Sequence, residues 1–324
     1  GSEMCIRDRA SSLLVLVAVV SSGCDAPEAG RELHLASFVG SRHPIATAVF
    51  NPLSEELATV SAGRLTVRQF PGATLNSAPA QQYSRLVEGV ADISFGLPGY
   101  TMQRFPMTSL LGFPGVSPDA ITGTERLWRA MSAIETEYEA KILGLWASQP
   151  KMLISATRRI EKASDLQGMI VSAASIQDVA YLEQLGAAAV SLPTSEAHQA
   201  LTTGTIDAVF ADPSTIASFS LWEPARYLTS NFPAITSAFF LLMNRQVYEQ
   251  LTQQERAWVD ASSGLELSLR GARAYMESSQ RGLMLAERDG IEFITMPDEE
   301  LARINSAFAS VMERELQREF DNGL

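Results

Sequence analysis

The chain has 324 residues, of which 46% are hydrophobic and 19% charged, and this composition suits one large globular domain or two lobes and excludes long disorder. Its 37 acidic and 25 basic residues give a net charge of −12 at pH 7. So acidic a protein is not expected to bind nucleic acid or an anionic membrane surface, because both select basic proteins.

The N-terminal residues have the pattern of an export signal. Arg7 and Arg9 precede an apolar run over residues 13–20, far shorter than the roughly 20 residues that cross a bilayer. Small residues at 21–23 are followed by Cys24, an arrangement that resembles a bacterial lipobox, in which the cysteine is lipidated. We expect residues 1–24 to be an export signal, residues 25–30 to be a tether, and Cys24 to provide the protein's only membrane contact.

After the tether, short apolar runs alternate with helical patterns, which indicates an α/β fold built from parallel βαβ units. The predicted strands span residues 33–38, 65–70, 92–95, 142–146, 152–156, 169–172, 188–192, 207–211, 225–228, 238–243 and 292–295. Because no proline- or serine-rich spacer interrupts this series, two lobes joined by several crossovers fit better than two domains on one linker.

The longest helical pattern begins at a capping box formed by Thr252 and Glu255 and continues to about Asp289. A continuous helix of this length would measure roughly 50 Å, more than one small lobe needs. Glycines within the pattern could interrupt it. Two interpretations therefore stay open: one helix that runs across both lobes, or two ordinary helices with a short break.

Signatures of catalysis are absent from the sequence. It has no G-x-S-x-G, P-loop or G-x-G-x-x-G motif, and the histidines His34, His43 and His198 lack the spacing of metal ligands. Cys5 and Cys24 are the only cysteines, so residues 25–324 carry no disulfide and no thiol nucleophile. We therefore expect no enzymatic activity, no cofactor and no metal; an exported enzyme on the same scaffold is the alternative.

If the strands run in parallel, their C-terminal ends bring aromatic and polar residues to one edge, where the ligands of α/β sheets bind. The candidate ligand-binding residues are Phe38, Arg42, His43, Phe95, Tyr100, Trp146, Gln149, Lys151, Ser172, Ser175, Phe210 and Asp212. Arg42 and Lys151 are the cations of this set. A guanidinium holds a carboxylate with two parallel hydrogen bonds, whereas an ammonium acts as a point charge.

The segment from Asp165 to Ser172, in which the turn Asp-Leu-Gln-Gly leads into an apolar strand, resembles the solute-binding proteins of TRAP (tripartite ATP-independent periplasmic) transporters. Further pieces follow in the order of that family: His43-Pro44, residues 61–67, Phe70-Pro71-Gly72, residues 89–93, Gly99-Tyr100, Arg104-Phe105-Pro106, residues 185–187, 195–201 and 204–207, and Met243-Asn244. Their order and spacing extend the resemblance over nearly the whole chain after the tether.

The resemblance implies a two-lobed periplasmic-binding-protein-like fold with a central ligand cleft, crossover strands and a long lobe-bridging helix. One lobe would hold residues 31–148 and 236–270, and the other residues 149–235 and 271–324. Such a protein captures a small organic solute in the periplasm by hinge closure and delivers it to the TRAP membrane subunits, without a cofactor. A receptor that passes its ligand signal to a sensor is the alternative on the same scaffold.

The chain departs from the family where the carboxylate of the ligand is held. The family has an arginine at the position of Ser172 and often a second one at the position of Met152. If the solute is an organic acid, Lys151 or Arg42 would have to replace these arginines. The competing hypothesis is a neutral or zwitterionic solute stacked among the predicted aromatic residues, which are Phe95, Tyr100, Trp146 and Phe210.

Overall fold

The structure is a computed structural model that describes residues 30–75 and 78–321. The predicted export signal, Cys24 and residues 25–29 of the tether lie outside the described residues. The described strands are β1 Arg31–Ala36, β2 Leu65–Phe70, β3 Ile93–Gly96, β4 Ala140–Ala147, β5 Met152–Ser155, β6 Ile170–Ala173, β7 Ala188–Ser191, β8 Ala208–Ala211, β9 Tyr227–Thr229, β10 Ala238–Asn244 and β11 Glu292–Ile294. Every predicted strand is present; most of the apolar runs are buried, whereas the edge strands β7 and β11 are largely exposed.

The strands form two sheets, with the order β2-β1-β3-β10-β4 in the first and β11-β9-β5-β8-β6-β7 in the second. The predicted parallel pairs are present, β1 with β2 and β3 and β6 with β7 and β8, but neither sheet is purely parallel. Strand β10 is antiparallel to β3 and β4, and β5 is antiparallel to β8 and β9. The reason is that the chain crosses between the sheets after β4 and after β9. Each crossing strand enters its new sheet at the cleft and runs away from it.

Helices connect the strands and cover the sheets. The α-helices of the described chain are α1 Asn51–Val60, α2 Gln82–Val87, α3 Pro106–Ser109, α4 Ala120–Arg129, α5 Met131–Ile134, α6 Ile176–Gln184, α7 Thr194–Thr202, α8 Ser214–Ser218, α9 Arg245–Gln250, α10 Gln253–Ala261, α11 Leu265–Arg288 and α12 Asp298–Asp321. A π-helical turn, Ala46–Phe50, leads into α1, and the 3₁₀ turns are Pro79–Gln81, Pro98–Arg104, Leu110–Gly112, Glu135–Glu137 and Ala163–Leu166. No helix in residues 30–75 and 78–321 combines the length and apolarity of a membrane span.

The long helical pattern is interrupted once, between α10 and α11. Gly264 precedes α11 with φ at 97°, a conformation that side chains other than glycine rarely adopt. The predicted capping box is present, with the Thr252 hydroxyl accepting from the Glu255 backbone and the Glu255 side chain accepting from the Thr252 backbone. Each interpretation is therefore right in part: the pattern breaks, yet α11 keeps 24 residues and a length of roughly 36 Å.

Helix α11 packs on both lobes through two glycines. A Cβ on Gly271 would lie 2.6 Å from the indole of Trp146, which belongs to the first sheet. A Cβ on Gly282 would lie 2.3 Å from the carbonyl oxygen of Pro213, just before α8 in the second lobe. Both approaches are possible because glycine has no side chain, and together they make α11 the lobe-bridging helix that the family resemblance implied.

Gly282→Ala is expected to destabilise the protein by about 1–3 kcal/mol, because the added methyl group overlaps the Pro213 carbonyl and overpacking has costs of this size. At an exposed helical site, the same change would stabilise by up to about 1 kcal/mol. Urea unfolding measures the difference. Gln280→Ala, at an exposed position of the same helix, is the control, and an equally stable or more stable Gly282→Ala protein would contradict the close packing.

Candidate functional site

A cavity lies between the two sheets. The C-terminal ends of β1 and β3 border it on the side of the first sheet, and the C-terminal end of β8 and the N-terminal end of β5 border it on the side of the second. We call it the aromatic cavity; it leaves about 40 Å³ for the centres of water molecules. Its lining residues are Phe38, Val39, His43, Leu97, Tyr100, Lys151, Ala174, Thr194, Phe210, Ala211, Asp212, Ser214, Thr215, Phe219, Ser237, Phe239 and Tyr275. Half of the residues proposed from the sequence are thereby brought together: Phe38, His43, Tyr100, Lys151, Phe210 and Asp212.

Two layers of aromatic rings form one wall of this cavity. In the inner layer, Phe239 stacks on Tyr275 with ring centroids 4.6 Å apart. Phe38 and Phe239 both stack on Phe95, at 5.2 and 5.8 Å, and Phe95 stacks in turn on Trp146 at 5.8 Å. Phe95 and Trp146 are fully buried behind the lining residues. Their predicted place at the ligand is therefore corrected: they form the hydrophobic core that supports the wall.

Lys151 reaches the cavity from the crossover between β4 and β5. This crossover is held against the one between β9 and β10, because Lys151 donates its backbone N–H to Ile235 at 2.9 Å and Ser148 donates to Ser237 at 2.8 Å. The Lys151 side chain is only 5% exposed. Its ammonium donates to Asp178 Oδ2 at 2.5 Å and lies 5.6 Å from the centroid of the Phe210 ring. A cation is thus fixed in a largely apolar cavity.

Two buried carboxyl groups accompany this ammonium. Burial raises the pKa of Asp178, and the neighbouring Lys151 offsets part of that rise. Burial also raises the pKa of Asp212, whose Oδ1 accepts from the Ser214 backbone N–H at 3.0 Å. Both shifts have the same cause, which is the loss of water around the charged carboxylate. Burial therefore disfavours the charged form of both carboxyl groups, and Lys151 partly opposes this effect.

His43 lies at the mouth of the aromatic cavity. Its Nδ1 accepts from the Ile45 backbone N–H at 3.3 Å, which leaves Nε2 to carry the proton of the neutral ring. Its ring lies 5.7 Å from that of Phe219 and 6.4 Å from that of Tyr275. Desolvation lowers the pKa of His43 to about 4, so the ring is neutral at physiological pH.

Four other residues proposed from the sequence lie elsewhere. Arg42 is exposed and lines an outer groove in front of the cavity, together with Arg281. Gln149 lies on the crossover and does not line the aromatic cavity. Ser172 is 1% exposed inside β6, between β7 and β8, and the cavity is reached instead by Ala174, past the end of the strand. Ser175 caps α6 by accepting from the Asp178 backbone N–H at 3.1 Å.

Several lining residues were not identified from the sequence. Tyr275 comes from the middle of α11, Phe219 follows α8 and Phe239 lies at the start of β10, so none of them follows a predicted strand end. Asp178, the partner of Lys151, was also missed. Asp178 lies three residues after Ser175, a spacing that is typical of a helix start. Its contact with Lys151 joins residues that are 27 positions apart, so no local pattern could predict it.

The two lobes touch each other beside the cavity. A Cβ on Gly99 would lie 2.9 Å from the Cβ of Ser175, so the loop after β3 meets the start of α6 at a point that only glycine permits. The phenolic oxygen of Tyr100 accepts a hydrogen bond from the backbone N–H of Thr194, at the start of α7 in the other lobe. Residues 30–75 and 78–321 hold no group of three or more histidine, cysteine or acidic side chains suited to a metal ion. The arrangement is a cavity between two lobes, lined by aromatic rings and one buried ammonium.

Known proteins share this architecture. The family model for bacterial extracellular solute-binding proteins, family 7, matches residues 35–319. The outer membrane transporter protein TsaT of Comamonas testosteroni is 25% identical over 269 residues, which cover 81% of this chain and 78% of TsaT.

Solved structures agree with the family match. A TRAP solute-binding protein from a marine metagenome, specific for aromatic acids and solved with 3-hydroxybenzoate, has a TM-score of 0.86 at 24% identity, covering 91% of this chain and 94% of its own. A TRAP solute-binding protein from Rhodoferax ferrireducens, solved with copurified benzoate, has a TM-score of 0.85 at 24% identity, covering 91% and 93%. The family match, which extends over most of the chain, and the two-lobed fold confirm the resemblance found in the sequence: this chain belongs to the bacterial extracellular solute-binding proteins of family 7, the receptors of TRAP transporters.

Proposed function

We propose that this receptor captures a small organic acid with an aromatic ring and delivers it to the membrane subunits of a TRAP transporter. The observation that carries the proposal is the buried ammonium of Lys151 inside a cavity walled by aromatic rings. An ammonium has three N–H bonds, and one of them is used by Asp178. Donors therefore remain for a carboxylate of the solute, and Lys151 takes over the task of the family's missing arginines.

The aromatic rings define the rest of the solute. Phe38, Phe210, Phe219, Phe239 and Tyr275 line the cavity, so an aromatic ring bound there would have aromatic neighbours. Rings prefer offset-stacked or edge-to-face neighbours at 4.5–7 Å, the range that these side chains already keep among themselves. The receptors bound to 3-hydroxybenzoate and to benzoate, which share the fold, support a solute of this class.

Asp212 supports a second candidate, a zwitterionic solute whose ammonium group pairs with this carboxylate. Asp212 lines the same cavity and is 6% exposed. Burial raises the pKa of Asp212 and so disfavours the charged form that would pair with an ammonium, which favours the first candidate. A thermal-shift assay with a panel of aromatic acids, amides, amines and zwitterions separates the two candidates by which class of compound stabilises the protein. A ligand at 100 times its Kd stabilises the protein by about 2.7 kcal/mol, which such an assay detects.

Capture proceeds by closure of the lobes around the solute. We place the lobe boundaries at the two crossovers and within α11. One lobe then holds residues 31–148 and 236–270, and the other holds residues 149–235 and 271–324. The crossovers join the sheets through short segments that can absorb a rotation. The contacts of Gly99 with Ser175 and of Tyr100 with Thr194 join the two lobes beside the cavity. A solute that touches both lobes favours the closed state by its additional contacts there.

We further propose that Cys24, in the periplasm, holds the receptor at the inner membrane.

Lys151→Met is expected to weaken benzoate binding about tenfold to a hundredfold, because a charge-assisted hydrogen bond contributes about 1.5–3 kcal/mol. Isothermal titration calorimetry of the variant and the original protein measures this change. Benzyl alcohol, which has the ring without the charge, should bind both proteins about equally.

Two further proteins control this experiment. Lys141→Met removes a half-exposed ammonium that pairs with Asp260 far from the cavity, and it should leave the Kd for benzoate unchanged. The double variant Lys151→Met, Asp178→Asn avoids leaving a buried carboxylate without a counter-charge. Unchanged benzoate affinity in both Lys151 variants would refute the role of this ammonium.

His43 makes a pH-dependent contribution to stability. Because its folded pKa of about 4 lies below the unfolded value of about 6.5, the unfolded chain binds more protons between these values. This contribution is complete above pH 6.5, decreases as the pH falls towards 4, and reaches at most about 3 kcal/mol. The stability difference between the original protein and His43→Gln, measured from pH 7.5 to 4.5, should change by this amount. A constant difference would show that the ring is not desolvated.

Cys24→Ala should release the protein from membranes without changing its affinity for benzoate. One acyl chain gives only marginal membrane binding, so stable anchoring needs the several chains of a lipoprotein. Fractionation of cells that express each protein tests this, with the calorimetric Kd as the control. Equal membrane association of the two proteins would contradict lipidation at Cys24.

A further inference from the structure

A second cavity adjoins the aromatic cavity on the other side of Lys151. The two cavities share Leu97, Lys151 and Ser237, and the second one leaves about 30 Å³ for the centres of water molecules. Its far wall is polar and is formed mainly by Thr108, Ser109, Ser175, Gln177 and Thr236. We call it the polar cavity. The ammonium of Lys151 thus stands at the junction of an aromatic and a polar space.

Two side chains of the polar cavity carry hydrogen-bonding groups without partners among the described residues. Gln177 is 5% exposed, and its Nε2 has no hydrogen-bond acceptor. Ser109 Oγ is likewise buried and unpaired. Both groups can donate, Nε2 through two N–H bonds and the hydroxyl through one. Buried donors are normally satisfied, and both residues line the same cavity, which indicates an acceptor that is bound there.

The electrostatic setting of the polar cavity favours an anion as that acceptor. Gln177 is the second residue of α6, whose nine residues direct the positive end of their dipole at this wall. Lys151 adds a full positive charge. The nearby acids each have a donor: Asp178 accepts from Lys151 through Oδ2, while its Oδ1 has no hydrogen-bond partner among the described residues, and Glu137 accepts from the hydroxyl and backbone N–H of Thr108.

We infer that the carboxylate of the solute lies in the polar cavity, where it accepts hydrogen bonds from Lys151, Gln177 and Ser109, while its ring lies in the aromatic cavity. This inference rests on the proposed function and extends it by assigning the orientation of the solute. One lysine and two neutral donors then replace the paired arginines. Because the two cavities meet directly at Lys151, the favoured solutes carry the carboxylate on the ring or one atom from it.

Gly112 fixes the position of the Gln177 carboxamide. A Cβ on Gly112 would lie 2.3 Å from Gln177 Oε1, so the side chain keeps its place only while residue 112 has no side chain. Gly112→Ala therefore displaces the carboxamide without removing it. This variant gives a second test of Gln177 that does not change the chemistry of the side chain.

Calorimetry with benzoate tests the inference. Gln177→Leu keeps the volume of the side chain and removes its donors, and it should raise the Kd for benzoate about tenfold. Gly112→Ala and Ser109→Ala should each raise it about threefold or more, whereas the Kd for benzyl alcohol should change less in every variant. Gln199→Leu, at an exposed position of α7, is the matched control and should leave both Kd values unchanged.

A second measurement uses the original protein and so does not depend on how the variants fold. In a ¹⁵N-correlated NMR spectrum, the side-chain amide of Gln177, assigned from the Gln177→Leu protein, should shift when benzoate is added. If benzoate binds and Lys151→Met weakens it, but the Gln177 amide and the Kd of Gln177→Leu do not change, the polar cavity holds only solvent and the inference is overturned. If benzoate and the other acids fail to bind the original protein, the proposed function fails as well.

Discussion

The ligand site depends on the buried ion pair between Lys151 and Asp178. Lys151 lies on a crossover between the sheets, and Asp178 lies in the first turn of α6. Taking two charges out of water is costly, and the cost is recovered only when the partners meet in good geometry, as they do here at 2.5 Å. Removing either partner would leave the other charged group buried and uncompensated. The pair therefore ties the crossover, α6 and both cavities into one unit.

The connections between the lobes limit how they can move. Two crossovers lie side by side and exchange backbone hydrogen bonds at Ser148 and Lys151, while α11 packs on both lobes through Gly271 and Gly282. These contacts leave a rotation about the crossovers as the motion that breaks the fewest of them. Gly99 lies against Ser175, two residues before the buried Gln177. Solute binding and lobe contact are consequently built from neighbouring residues.

The site shows how a receptor can hold an organic acid without a guanidinium. An arginine presents a rigid fork that holds a carboxylate by itself, whereas an ammonium supplies charge and little orientation. In the proposed site, orientation would come from the shape of the aromatic cavity and from neutral donors on Gln177 and Ser109. Charge from Lys151, cavity shape and these donors would together replace two arginines.

The sequence by itself determined the strands, the capping box at Thr252, the family and six of the residues that line the aromatic cavity, because all of these follow from side-chain patterns over neighbouring residues. Only the tertiary structure decided the rest. The crossovers reverse β5 and β10 within their sheets, and Asp178 meets Lys151 across 27 positions. Ser172 is buried within β6 while Tyr275, from a helix, enters the cavity. These outcomes depend on which distant segments pack together, and a local pattern carries no information about that.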